Sequence, residues 1–207
     1  MNITRSSLLF FIIISASISA QEVESPSSSS DWNFNPGLYF YFIPNDFFTL
    51  PIIKADKGVL HLEARYNYEG RNTISVWGGY NFYTEGVLEF TAIPMAAVVL
   101  GETNGLAPGL ELDLIYNNFE LYTESEYLFN TDDGSLNYFY NWGELSYAPV
   151  EWIWVGLVGQ QTIAYQTESE IQQGLLLGSG FYDIELTAYL FNIDEDPLFV
   201  LSVEANF

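Results

Sequence analysis

The sequence predicts an all-β chain folded as a single antiparallel up-and-down transmembrane β-barrel, of twelve strands with ten as the alternative. Three observations predict it. Apolar residues make up 49% of the 207 residues and aromatics 17%, yet past residue 20 no stretch approaches the roughly 18 consecutive apolar residues of a membrane helix. The apolar residues recur instead at every second position, the period of a strand with two unlike faces. The polar face so produced holds hardly a cation, since the chain has 5 Lys plus Arg against 27 Asp plus Glu. A soluble β-sandwich or lipocalin-like barrel also alternates, but it turns the apolar face inward and scatters Lys and Arg outside for solubility. Here Glu, Asn, Tyr, Trp and Gly occupy the polar face, so the apolar face is the one turned to lipid.

Residues 1–20, MNITRSSLLFFIIISASISA, have Arg5 in a polar head, an apolar run from Leu8 to Ile14 and small residues before Ala20, the pattern of a cleaved secretory signal peptide. Its removal leaves four basic residues against 27 acidic ones, a formal charge of −23. Such a surface repels phosphate backbones, which excludes nucleic acid as a partner. With no cysteine, neither a disulfide frame nor a thiolate metal site is available. Residues 21–35, rich in Ser and Pro, read as a flexible leader, and residues 36–207 as the barrel.

Period-two segments separated by turn residues place strands at 37–44, 59–69, 73–83, 87–93, 96–101, 107–116, 119–130, 135–147, 150–165, 171–182, 184–192 and 198–207. The pair at 87–93 and 96–101 turns on Pro94; if the segment is one irregular excursion, the count falls to ten. The stretch NDFFTLPIIKADKG at 45–58 reads as a long connection. Connections after even-numbered strands are short and those after most odd ones longer and often acidic, as in a membrane barrel with both termini at the short-turn end. In the second strand Leu60, Leu62, Ala64, Tyr66 and Tyr68 oppose His61, Glu63, Arg65 and Asn67. The third and seventh strands divide the same way, with aromatics toward the ends of the apolar face, where rings meet the headgroup level. The phase of NYFYNWGELSY changes near Asn141, which predicts a bulge there.

The chain ends LFVLSVEANF, with Phe199, Leu201, Val203, Ala205 and Phe207 on one face. This tail, with the signal peptide and the alternating strands, resembles the bacterial outer-membrane β-barrel proteins, whose last strand commonly ends in such a phenylalanine. The resemblance implies residence in the bacterial outer membrane, contact with its lipid and lipopolysaccharide, and reading of the tail by the barrel insertion machinery. It implies no activity.

The inferred lumen carries Glu63, Glu89, Glu111, Asp113, Glu120, Glu124, Glu126, Glu144, Glu185 and Glu204, with Arg65 as the nearby cation. So many carboxylates cannot sit dry and ionised, so water, bound cations or protons must accompany them. Two readings stand. In one the lumen is a small porin-like channel preferring cations, because rings of Asp and Glu favour cations, with small cationic solutes or divalent cations as its partners. In the other Glu, Tyr and Arg65 form a structural network inside a non-conducting barrel, with Trp77, Trp142, Trp152 and Trp154 as filling. His61, the sole histidine, falls at the longer-loop rim two residues from Glu63; as the base of a rim hydrolase it lacks a serine motif beside it. No constellation calls for a cofactor or a metal. The acidic loops at 130–135 and 192–197 lack calcium-loop spacing and read as solvated.

Overall fold

The computed structural model describes residues 31–164, 170–194 and 196–207. The expected signal peptide and the leader as far as residue 30 lie outside them. Thirteen strand segments follow one another: β1 (Asn33–Ile43), β2 (Asp46–Lys57), β3 (Leu60–Tyr66), β4 (Thr73–Tyr80), β5 (Phe82–Thr84), β6 (Glu89–Gly101), β7 (Gly105–Tyr116), β8 (Phe119–Asn130), β9 (Tyr138–Val150), β10 (Ile153–Ala164), β11 (Glu170–Phe181), β12 (Ile184–Phe191) and β13 (Leu198–Ala205). Each pairs antiparallel with its neighbours, and β4 and β5 both pair with β6, so those two are one stave interrupted at Asn81. Pairing of β1 with β13, from Gly37 opposite Glu204 to Phe42 opposite Phe199, closes the ring at twelve staves and leaves no sheet edge in the hydrocarbon. The Phe207 backbone extends the seam, exchanging two 3.0 Å hydrogen bonds with Phe34.

The strand count matches the sequence expectation, but two of the staves do not. Residues 46–57, expected within a connection, form β2 between β1 and β3. Residues 87–93 and 96–101, expected as a hairpin, are one strand, β6. In β2 the adjacent pairs Phe47–Phe48 and Ile52–Ile53 put apolar side chains on both faces, and Pro51 argues against a central strand, so the alternation is hidden. In β6, β4 pairs only as far as Met95 and β5 only from Ala92, so Pro94 falls where the ladder on that side is already broken. A residue with no N–H loses nothing there.

Two ends of the barrel differ. Connections 58–59, 85–88, 117–118, 151–152 and 182–183 lie at the end holding both termini, here the terminal end. Connections 67–72, 102–104, 131–137 and 192–197 lie at the other, the loop end, together with the tight turn at 44–45.

The wall is inverted relative to a soluble protein. Outward side chains such as Val76, Val98, Leu106, Leu157 and Leu177 are exposed, each by half or more, while His61, Glu63, Arg65, Glu111, Glu124 and Glu126 are buried. A wall this apolar needs a hydrocarbon neighbour. Phe199, Leu201, Val203 and Ala205 alternate on that outward face with the buried or half-buried Val200, Ser202 and Glu204. Aromatic pairs ring both ends: Phe42 with Phe47 and Phe199, and Tyr127 with Phe129, at the loop end; Tyr80 with Phe82, and Phe119 with Tyr147, at the terminal end.

No bulge occurs at Asn141. The β8–β9 register runs unbroken from Phe119 opposite Tyr147 to Leu128 opposite Tyr138, and the register shift lies between Ile153 and Val155 on β10 instead. Asn141 stays on the outward face. Its Nδ2 donates to Thr123 Oγ1 at 2.9 Å, Ser125 Oγ at 2.8 Å and the Glu124 carbonyl at 3.0 Å, so its amide is satisfied within the wall.

Candidate functional site: the acidic lumen

Inside the ring, alternation delivers every second side chain of each strand to the lumen, and the two halves fill differently. Toward the loop end Trp77, Met95, Ala97, Val99, Ala107 and Leu128 form one apolar cluster, and Trp142, Val158, Leu176, Tyr189, Phe191, Leu198 and Val200 another. Thr73, Val99, Leu128, Phe191 and Val200 have 0% exposure. Two glycines permit this packing: a Cβ on Gly109 would lie 2.7 Å from the Trp77 ring, and one on Gly178 would lie 1.9 Å from Trp154. Of the four tryptophans expected as filling, Trp77, Trp142 and Trp154 are inside, whereas Trp152 stands 59% exposed in the 151–152 turn.

Between the clusters and the open half runs a charged lattice. Arg65 ion-pairs Glu63 across 2.8 Å and Glu124 on β8, and lies over the rings of Tyr68 (4.3 Å) and Trp77 (4.6 Å). Glu124 also accepts from Tyr68 at 2.9 Å and Tyr122 at 3.2 Å. Lys54 of β2 reaches both Glu111 oxygens of β7 at 2.9 and 3.1 Å. The lattice thus ties the β2–β3 wall to β7 and β8 across the barrel. At the loop end, burial raises the Glu69 carboxyl above its ordinary range, against hydrogen bonds from Ser75 and Trp77 and the attraction of Arg65.

Below the lattice a cavity of about 720 Å³ opens at the terminal end. Glu111, Asp113, Glu120, Glu124, Glu144, Glu185 and Glu204 line it, with Lys54 and His61 as its basic residues. Seven of the eleven predicted lumen residues therefore share this space. Glu63, Arg65 and Glu126 are buried in or beside the lattice, and Glu89 lies exposed at the start of β6. Lys54, Asp56 and Glu151 also line the cavity and were missed: the first two belong to the unrecognised β2, the third to a short turn.

His61 is not at the loop end. Recognition of β2 reverses the direction of β3, so His61 follows the 58–59 turn at the terminal end. Its Nδ1 lies 2.8 Å from Asp56 Oδ1, which also accepts from Asn81 at 2.7 Å, and its Nε2 lies 3.7 Å from Glu63. Asp56, rather than Glu63, orients the ring. In the 131–137 loop, Asp133 accepts from the Ser135 amide and hydroxyl at 2.9 and 2.8 Å, which holds its carboxyl below the usual range, and Asp132 accepts from Asn104.

No family model and no curated protein matches the chain. Solved structures do. The KdgM porin, in a structure described as a complex with disordered oligogalacturonate, superposes with a TM-score of 0.65 at 12% identity, over 84% of this chain and 99% of that one. A second KdgM porin structure gives 0.62 at 10% identity over 84% and 99%. The outer membrane protein Omp33 of Acinetobacter baumannii gives 0.51 at 11% identity over 85% and 98%. The fold is that of outer-membrane porins, spanned along nearly their full length.

Proposed function

We propose that the chain is an integral barrel of the bacterial outer membrane acting as a narrow porin-like channel with an acidic, cation-preferring lumen. One observation carries this reading: nine carboxylates line the 720 Å³ cavity, against two basic side chains. In a low-dielectric wall such a ring concentrates cations and repels anions. The same charge argues against carrying over the oligogalacturonate of KdgM, because a polyanion would meet a wall of its own sign. Catalysis is not part of this function: Asp56 orients His61, but no hydroxyl or thiol nucleophile stands against its Nε2 among the described residues. Insertion through the Phe199–Phe207 tail, whose outward residues alternate along β13, belongs to the same proposal.

Purified protein in planar bilayers under a salt gradient should show small conductance steps with a reversal potential toward the cation. An anion-directed reversal potential, or silence at all voltages, would overturn the channel. The complete burial of Thr73, Val99, Leu128, Phe191 and Val200 favours a second reading, a non-conducting barrel, which predicts that silence.

A further inference from the structure

Three buried side chains of the lattice wall, His61, Glu63 and Glu111, stand together, and the first two keep polar atoms that the lattice leaves unpaired. His61 and Glu63 are two apart on β3 and so project side by side, and Glu111 faces them from β7. One donor atom of each lies within 4.8 Å of the other two. His61 is 1% exposed and Glu63 3%, yet His61 Nε2 and Glu63 Oε1 have no hydrogen-bond partner. Two unmatched polar atoms this deep are costly unless something is bound to them.

The surroundings say what would satisfy them. The Asp56 carboxylate holds His61 through Nδ1 and leaves Nε2 aimed at Glu63, the carboxylate–histidine arrangement that presents an imidazole to a metal. Five carboxylates here, Asp56, Glu63, Glu111, Glu124 and Glu126, face two fixed cations, Lys54 and Arg65. The surplus of negative charge favours a bound cation. One imidazole with carboxylates suits zinc and its neighbours among the transition metals, not calcium or magnesium, which take all-oxygen shells. Nε2 and Glu63 Oε2, 3.7 Å apart, are close to the roughly 3.3 Å between ligands of a tetrahedral ion with bonds near 2.0 Å. Glu111, which also pairs with Lys54, supplies the third donor atom within 4.8 Å of the other two. Entry is open, since His61 and Glu111 line the cavity.

We infer that His61, Glu63 and Glu111 form a binding site for one divalent transition-metal ion on the lumen wall, with Asp56 as the residue that positions His61. The site does not depend on conduction, because a closed barrel would hold the ion equally. The test uses the folded barrel in detergent, stripped with a chelator and dialysed against zinc, with elemental analysis for stoichiometry and cobalt(II) absorption for geometry. Wild type and the control Glu85→Gln, at an exposed position of the 85–88 connection, should each bind one ion per chain with a low-symmetry cobalt spectrum, and His61→Ala should bind none. Asp56→Asn should keep the ligands but bind about 10- to 100-fold more weakly. No stoichiometric ion in wild type, or equal affinity in His61→Ala, overturns the proposal. Should His61→Ala fail to fold, unchanged affinity in Asp56→Asn overturns it instead.

Discussion

The loop-end and terminal-end halves of the lumen are built by the same strands and the same alternation, yet one is packed and the other is open. Toward the loop end the inward positions carry Val99, Leu128, Phe191 and Val200, which close on one another. Toward the terminal end β8, β12 and β13 deliver Glu120, Glu185 and Glu204, which line the open cavity. A strand decides which side chains enter the lumen, and their chemistry decides whether the lumen exists. The lattice around Arg65 is the boundary between the two regimes, and each variant below moves that boundary or shows that it is fixed.

The largest effect is expected at the boundary itself. Arg65→Ala strands Glu63 and Glu124 without their guanidinium, a loss of about 3–5 kcal/mol on breaking a buried pair. Urea unfolding in lipid would measure it; a loss under about 1 kcal/mol would mean that water already reaches the lattice. Trp77→Ala attacks the packed half, removing a ring that is 1% exposed and seated on Gly109, at a cost of about 3–5 kcal/mol. If the variant still folds, the void it leaves should raise single-channel conductance. Unchanged conductance with lost stability would place the barrier elsewhere.

The triple change Glu120→Gln, Glu185→Gln, Glu204→Gln tests the open half. These groups are partly exposed and Glu185 stands beside Glu204 across the β12–β13 ladder, so stability should change by no more than about 1 kcal/mol, while the cation bias of the reversal potential shrinks. A bias that survives would assign selectivity to the lattice. The smallest effect is expected at Glu69. Its raised folded-state value means that the native protein takes up a proton more readily than the unfolded chain, so its contribution weakens as pH rises above the ordinary carboxylate value through the folded one. Glu69→Gln should flatten that dependence and add about 1 kcal/mol or less at neutral pH; an unaltered pH profile of the urea midpoint would show that Arg65 already compensates the charge.

How far the sequence could be read depended on whether one face of a strand was clean. In β3 and β4 every second residue is apolar, and the observed faces are the expected ones from Leu60 to Tyr66 and from Thr73 to Tyr80; Tyr68, expected on the apolar face, lies past the end of β3 and turns into the lumen against Arg65 and Glu124. In β2 both faces are apolar near its middle and Pro51 interrupts, so the strand, and with it Lys54 and Asp56, went unread. The missing β2 and the divided β6 offset each other in the count. The total was therefore right while the direction of β3 was reversed, which is why His61 was expected at the wrong end. The absent bulge at Asn141 has a related cause: a polar residue on the outward face suggests a slipped phase, but three hydrogen bonds to its neighbours let it remain.

By itself the sequence determined the closed antiparallel barrel, because a period of two with acids on one face and hydrocarbon on the other has few stable solutions. Only the tertiary structure decided which acids line the open cavity and which are locked to Arg65 and Lys54. Those pairs join residues 57 and 59 positions apart, from walls that meet only when the ring closes. Alternation says that a side chain points inward. It does not say what it meets there.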